Sequence, residues 1–164
     1  MAKGEIFKEL PKWAQGVISV GILAGVGIVA YSVYKKLQKD KGLKGAKQEL
    51  DSVAQATQDL TKAGQKPSLD SFKLAQIANQ IHSALNGYGS DENGVYRAFA
   101  QVKNDLDVVN LTKAYGIRKL SSGNWNPAPD FEGTLGQSLT EELDTKEVAA
   151  LNTLLAKKGI KYRF

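Results

Sequence analysis

From Trp13 to Tyr34 the chain passes through 22 positions without a charged residue. At about 1.5 Å per residue a helix of that length reaches roughly 33 Å, enough for a hydrocarbon core of about 30 Å. Trp13 lies at one boundary of the run, and Tyr31 and Tyr34 lie at the other, where amphipathic rings prefer the headgroup level. Lys12 precedes the run and Lys35, Lys36 and Lys39 follow it. The pattern predicts a single transmembrane helix over 13–34. Ala30 and Ser32 imitate the small-x-small pattern of a signal-peptide cleavage site, but the apolar run is longer than a signal core requires. Ahead of it, Ile6, Phe7 and Leu10 among lysines and glutamates predict a short interfacial segment over 1–12, ended by Pro11. Inside the run, Gly21 and Gly25 form a GxxxG pattern that suits close helix packing and is also common in spans without any partner.

Beyond the span the periodicity changes. Over 35–66 a basic linker leads into an amphipathic stalk helix, with Leu43, Ala46, Leu50, Val53, Thr57 and Leu60 at alternating spacings of three and four. Gly42 and Gly45 weaken its start, and Gly64 with Pro67 marks its end. The stripe needs a partner, either another copy, a neighbouring protein or the domain that follows.

Residues 67–164 read as a compact all-α domain of five helices. Ser68 is the expected cap of the first, whose apolar face is Leu74, Ile77, Ala78, Ile81 and Leu85. The loop Asn86-Gly87-Tyr88-Gly89 interrupts the pattern. Ser90 is the expected cap of the second helix, with Asp91 and Glu92 against the positive end of its dipole and Val95, Tyr96, Phe99 and Val102 inward. A third helix starts at Asp105, carries Val108, Leu111 and Tyr115, and stops at Gly116. A fourth is expected over 131–143. Asp144 and Glu147 form a capping box for a fifth, with Val148, Leu151, Leu154 and Leu155 inward.

Charge sharpens this division. The net charge is +5, yet residues 1–48 alone hold nine lysines against Glu5, Glu9 and Asp40, so residues 49–164 are close to neutral. Basicity therefore belongs to the flanks of the span, and no specific nucleic-acid partner is expected. Three lysines precede the span and six lie over 35–47, which orients the C-terminal domain toward the cytoplasm or the interior of a particle. The absence of cysteine removes disulfides, thiolate chemistry and cysteine-ligated zinc together.

The order Ile81-x-x-Ala84-Leu85-x-Gly87-x-Gly89-Ser90-Asp91-Glu92-x-x-Val95 resembles the annexin repeat, whose first two helices are joined by a G-x-G-T-D-E loop. Leu139-Thr140-Glu141-Glu142-Leu143, followed by a leucine-rich helix, is similar to the fourth and fifth helices of that repeat. The resemblance covers one repeat, about residues 70–158. Ser90 stands where threonine is usual, the four-repeat ring is absent, and Ser121 to Pro129 is an insertion. It implies a five-helix fold and a calcium site made by the carbonyls of Gly87 and Gly89 with the carboxylate of Glu142, bridging to phospholipid. Calcium accepts such hard oxygen donors. The same residues also serve as a tight turn and a helix start without any metal.

Other chemistry is sparse. His82 is the only histidine and reads as a partly buried packing residue, since no second histidine or cysteine completes a nucleophilic or zinc set. Glu141 and Glu142 project about 100° apart on a helix and do not flank a substrate as a glycosidase pair must. An enzyme is not expected, and no cofactor beyond calcium is implied. Trp125, in the insertion, is either a plug over the core or a protein contact. The tail from Lys157 to Phe164 alternates basic and apolar residues and suits an anionic neighbour. The expected function is that of a single-pass structural and interaction protein linking a bilayer to a protein assembly, such as a minor membrane protein of a bilayer-containing virion. A calcium- or lysine-mediated phospholipid-binding module is the alternative, and self-association is open.

Overall fold

The computed structural model describes residues 43–87, 89–121 and 130–164. Among them six helices and one two-stranded ribbon are present, so this part of the chain is predominantly helical. In chain order they are α1 (Leu43–Lys62), α2 (Ser71–Leu85), α3 (Glu92–Phe99), α4 (Asp105–Tyr115), β1 (Arg118–Leu120), β2 (Phe131–Gly133), α5 (Leu135–Glu142) and α6 (Thr145–Lys157). No helix among the described residues is long and apolar enough to cross a membrane. The expected span over 13–34 lies outside them, as do Trp13, Gly21, Gly25, Tyr31, Tyr34, Lys35, Lys36, Lys39 and, in the insertion, Trp125.

Helix α4 is the centre of the packing. Val108, Val109 and Leu111 are buried, and α1 and α2 both lie along it. The apolar stripe of α1 is therefore covered by its own chain: Val53, Ala56 and Leu60 belong to the same core as Ile77, Phe99 and Leu155. The buried positions of α1 are Ala46, Glu49, Val53, Ala56 and Leu60, while Leu50 and Thr57 are half-buried. The face is thus rotated from the one that hydropathy alone predicts. Two alanines let the helices approach closely, and a glutamate occupies an inward position because the fold supplies it with hydrogen-bond donors.

Local signals placed most helix ends correctly, but two caps require correction. Asp70, not Ser68, caps α2 by accepting from the Lys73 amide at 2.7 Å, and Asp91, not Ser90, caps α3 by accepting from Gly94 at 2.8 Å. Both serines serve longer-range ties. Ser68 donates through its amide and hydroxyl to Asp107, and Ser90 donates to the Glu142 carbonyl at 2.8 Å. The capping box of Asp144 and Glu147 forms as the sequence predicts, and Gly116 ends α4 with φ of 64°.

The described residues are consistent with the all-α class, with one short ribbon added, and the helix expected over 131–143 begins only at Leu135. Phe131–Gly133 instead pairs antiparallel with Arg118–Leu120, in the register Arg118↔Gly133, Lys119↔Glu132 and Leu120↔Phe131. Three residues per strand are too few to display a period of two. Gly133 is required here by space: a Cβ would stand 2.6 Å from the Phe131 ring and 2.8 Å from Gln137 Oε1.

The C-terminal tail is a strap over the core. Ile160, Tyr162 and Phe164 are buried, whereas Lys161 between them is exposed. Asn152 holds the last residue through two hydrogen bonds, donating to the Phe164 carbonyl at 2.8 Å and accepting from its amide at 2.9 Å. The Phe164 ring meets Phe99 edge-on at 5.3 Å. The alternation of apolar and basic residues in this tail thus reports an extended segment with one face inward.

Candidate functional site

The loop between α2 and α3 begins where Asn86 leaves helical geometry, and the next described residues adopt backbone that favours glycine, with φ of 122° at Gly87 and 78° at Gly89. The Asp91 amide donates to the Ala84 carbonyl at 2.7 Å and closes the turn. Two distant segments are tied to it. Asn86 Oδ1 accepts from the Ser121 amide at 2.7 Å at the end of β1, and the Ser90 hydroxyl reaches the last residue of α5, Glu142. The structure therefore brings Ser90, which follows Gly89, against the backbone carbonyl of Glu142, one of the three residues that the resemblance nominates.

The chemistry available there is limited. The Asp91 carboxylate is occupied by the α3 cap and by Arg97, whose guanidinium lies at 3.1 Å. Glu142 is half-buried, and burial, then the neighbouring charge of Glu141, raises its carboxyl above the usual range. Among the described residues no group of three or more histidine, cysteine, aspartate or glutamate side chains could share a metal. Gly87 and Gly89 have open surroundings, since a Cβ at either would meet nothing within 4 Å, and Glu142 is the one carboxylate residue tied to the turn, through its backbone carbonyl. Glu142, with the carbonyls of Gly87 and Gly89, could hold a calcium ion only as a weak, largely hydrated site.

His82 is half-buried and stacks edge-on against Tyr115 at 6.1 Å. Burial, then Arg118, lowers its pKa, and its Nδ1 has no hydrogen-bond partner. Arg118 is held over the Tyr115 ring at 4.8 Å and donates to Asn79 Oδ1 at 2.9 Å, while the Tyr115 hydroxyl lies 3.1 Å from Ser138 Oγ. These contacts join α2, α4, β1 and α5 in the manner of a packed polar seam.

The most buried carboxyl groups carry no signal in the local sequence pattern. Glu49 accepts from the Thr134 hydroxyl and the Gly136 amide, and its Oε1 has no partner. Burial raises its pKa despite those two bonds. Tyr162, fully buried, is pushed well above the usual phenol range by burial and then by Glu49. Asp107 accepts from the Ser68 and Lys103 amides at 2.8 and 2.9 Å, and Asp105 accepts from the Lys161 and Tyr162 amides, both at 2.7 Å. Apart from Lys103, these partners are far apart in sequence, and no local spacing announces them. No protein-family model, curated protein or solved structure matches this chain.

Proposed function

We propose that the chain is a single-pass, membrane-anchored structural and interaction protein that links a bilayer to a protein assembly, with its helical domain on the cytoplasmic or particle-interior side. The observation that carries this reading is the uncharged run over 13–34, closed on both sides by lysines and bounded by aromatic residues. The docking of α1 on α4 supports it, because a helix that follows the span and packs into the core holds the domain close to the membrane. A minor membrane protein of a bilayer-containing virion has this combination of anchor and compact domain. Alkaline carbonate extraction of membranes carrying the full chain tests the anchor: the protein is expected in the pellet, and release into the supernatant refutes the span.

A second reading, a phospholipid-binding module resembling one annexin repeat, is favoured by the juxtaposition of the Gly87 to Ser90 turn with Glu142. Calorimetric titration should then show weak calcium binding at millimolar concentration, reduced in Glu142→Gln. No heat of binding in the native chain refutes it.

A further inference from the structure

We propose that the end of the domain formed by the first turns of α2 and α4 and the last turn of α6 docks on an anionic lipid surface. The cations come from three separate segments. Asn104 Nδ2 donates to the Lys66 carbonyl at 3.1 Å, which sets the α1–α2 loop beside the start of α4. Lys103 immediately precedes that start, and its amide is held by Asp107. Lys158 donates to the carbonyls of Ala100 and Val102, which draws the end of α6, including Lys157, to the same place. Lys161 follows, with its amide on Asp105.

The carboxylates of this end are differently arranged. Asp105 and Asp107 are buried and spend their oxygens on backbone amides and on Ser68, so they hold the segments together from within. Asp70 is exposed and caps α2. Lys66, Lys103, Lys157 and Lys161 are all exposed, and among the described residues none is in an ion pair. Asp91, Glu92, Glu141, Glu142 and Asp144 gather around the α2–α3 turn and the α5–α6 junction instead. Among the described residues these two groups of charge thus lie at different ends, an arrangement that orients approach to an extended anionic surface.

An exposed aromatic decides between classes of polyanion. Phe72, in the first turn of α2, is 72% exposed, the most exposed large apolar side chain among the described residues. Phe72 lies in the first turn of α2, at the same end of that helix as the loop that carries Lys66. One apolar ring among lysines suits insertion at the headgroup level of an anionic leaflet, with the ring in the acyl boundary and the ammonium groups on phosphates. Sequence-tolerant binding of single-stranded nucleic acid uses several stacking rings along a basic track, and among the described residues of this end Phe72 is the one exposed aromatic.

The proposal stands on this surface, while the location of the anchoring bilayer rests on the reading of residues 13–34. The test separates them. Full-length protein is reconstituted into phosphatidylcholine vesicles and mixed with labelled acceptor vesicles of phosphatidylcholine alone or with phosphatidylserine. Capture is expected only for acceptors containing phosphatidylserine, and it should fall as salt rises. Each of Lys103→Gln, Lys157→Gln and Lys161→Gln should weaken capture about fivefold, and Phe72→Ala about tenfold. Lys113→Gln and Lys146→Gln, elsewhere on the surface, should leave it unchanged. Equal capture of neutral vesicles, or indifference to the triple lysine variant, overturns the proposal. So does lysine-dependent binding of a single-stranded oligonucleotide without capture of phosphatidylserine vesicles, which assigns the surface to nucleic acid. If the chain is not retained in the donor vesicles, the anchor reading fails, and co-sedimentation of the same chain with the two acceptor populations still decides the lysine surface.

Discussion

Glu49→Gln should stabilise the domain increasingly as pH rises. Glu49 is 5% exposed, its carboxyl accepts from the Thr134 hydroxyl and the Gly136 amide, and Oε1 has no partner. Its pKa in the folded chain is raised from 4.5 by burial, so the folded state binds the proton more tightly than the unfolded state does. The stability contributed by the protonated form is therefore fully present below pH 4.5 and is lost as pH rises through the folded pKa. Glutamine keeps the shape and an acceptor for Thr134, and it carries no charge at any pH. An unsatisfied buried polar group costs about 1–3 kcal/mol, and more when charged. For a domain of this size that corresponds to roughly 4–12 °C in Tm. Thermal unfolding of both chains, followed by circular dichroism between about pH 4 and pH 8, gives the difference at each pH. Titration of Glu142 and of the surface carboxylates is common to both chains and cancels. The difference should be near zero at the acid end and reach its full size at the alkaline end. A difference that is flat with pH, or that favours glutamate at the alkaline end, refutes the buried ionisable site.

Three further outcomes can be checked by denaturant unfolding. Phe164→Ala should cost about 3–5 kcal/mol, because the ring is buried against Phe99 and Tyr162 and its removal leaves a cavity under the strap. Asp107→Ala should cost about 2–4 kcal/mol, since it leaves the Ser68 and Lys103 amides without their acceptor at the start of α4. Gly133→Ala should cost about 1–3 kcal/mol, because its methyl group would collide with the Phe131 ring and with the Gln137 carbonyl that completes the α5 capping box. A loss of less than about 0.5 kcal/mol in any of the three contradicts the packing assigned to that residue.

The legible part of the fold is the part written in short-range chemistry. Leu74, Ile77, Ala78, Ile81 and Leu85 all repeat at helical spacing and are all buried, and Asp144 with Glu147 caps α6 within four residues of sequence. At the candidate site, the glycines and the acidic pair were visible for the same reason. The two serines misled because serine, aspartate and asparagine are nearly equivalent as caps, and Asp70 and Asp91 lie one or two residues further on. Which hydroxyl caps and which reaches across the fold depends on Asp107 and Glu142, 39 and 52 residues away.

The rotation of α1 shows the same limit from the side of packing. A stripe counted at spacings of three and four from Leu43 selects Leu50 and Thr57 over Glu49 and Ala56, because spacing reports periodicity and not what each side chain meets. Ala56 is preferred inside since a small residue lets α1 and α4 approach, and Glu49 is tolerated because Thr134 and Gly136 stand at the start of α5, 85 and 87 residues later. A buried carboxylate with one bare oxygen is a weak source of stability, as the penalty for desolvating it offsets most of what its hydrogen bonds return. Its effect is instead on geometry. Glu49 accepts only where α1 is seated in one register on the α5 turn, so it fixes how α1 packs against the rest of the domain.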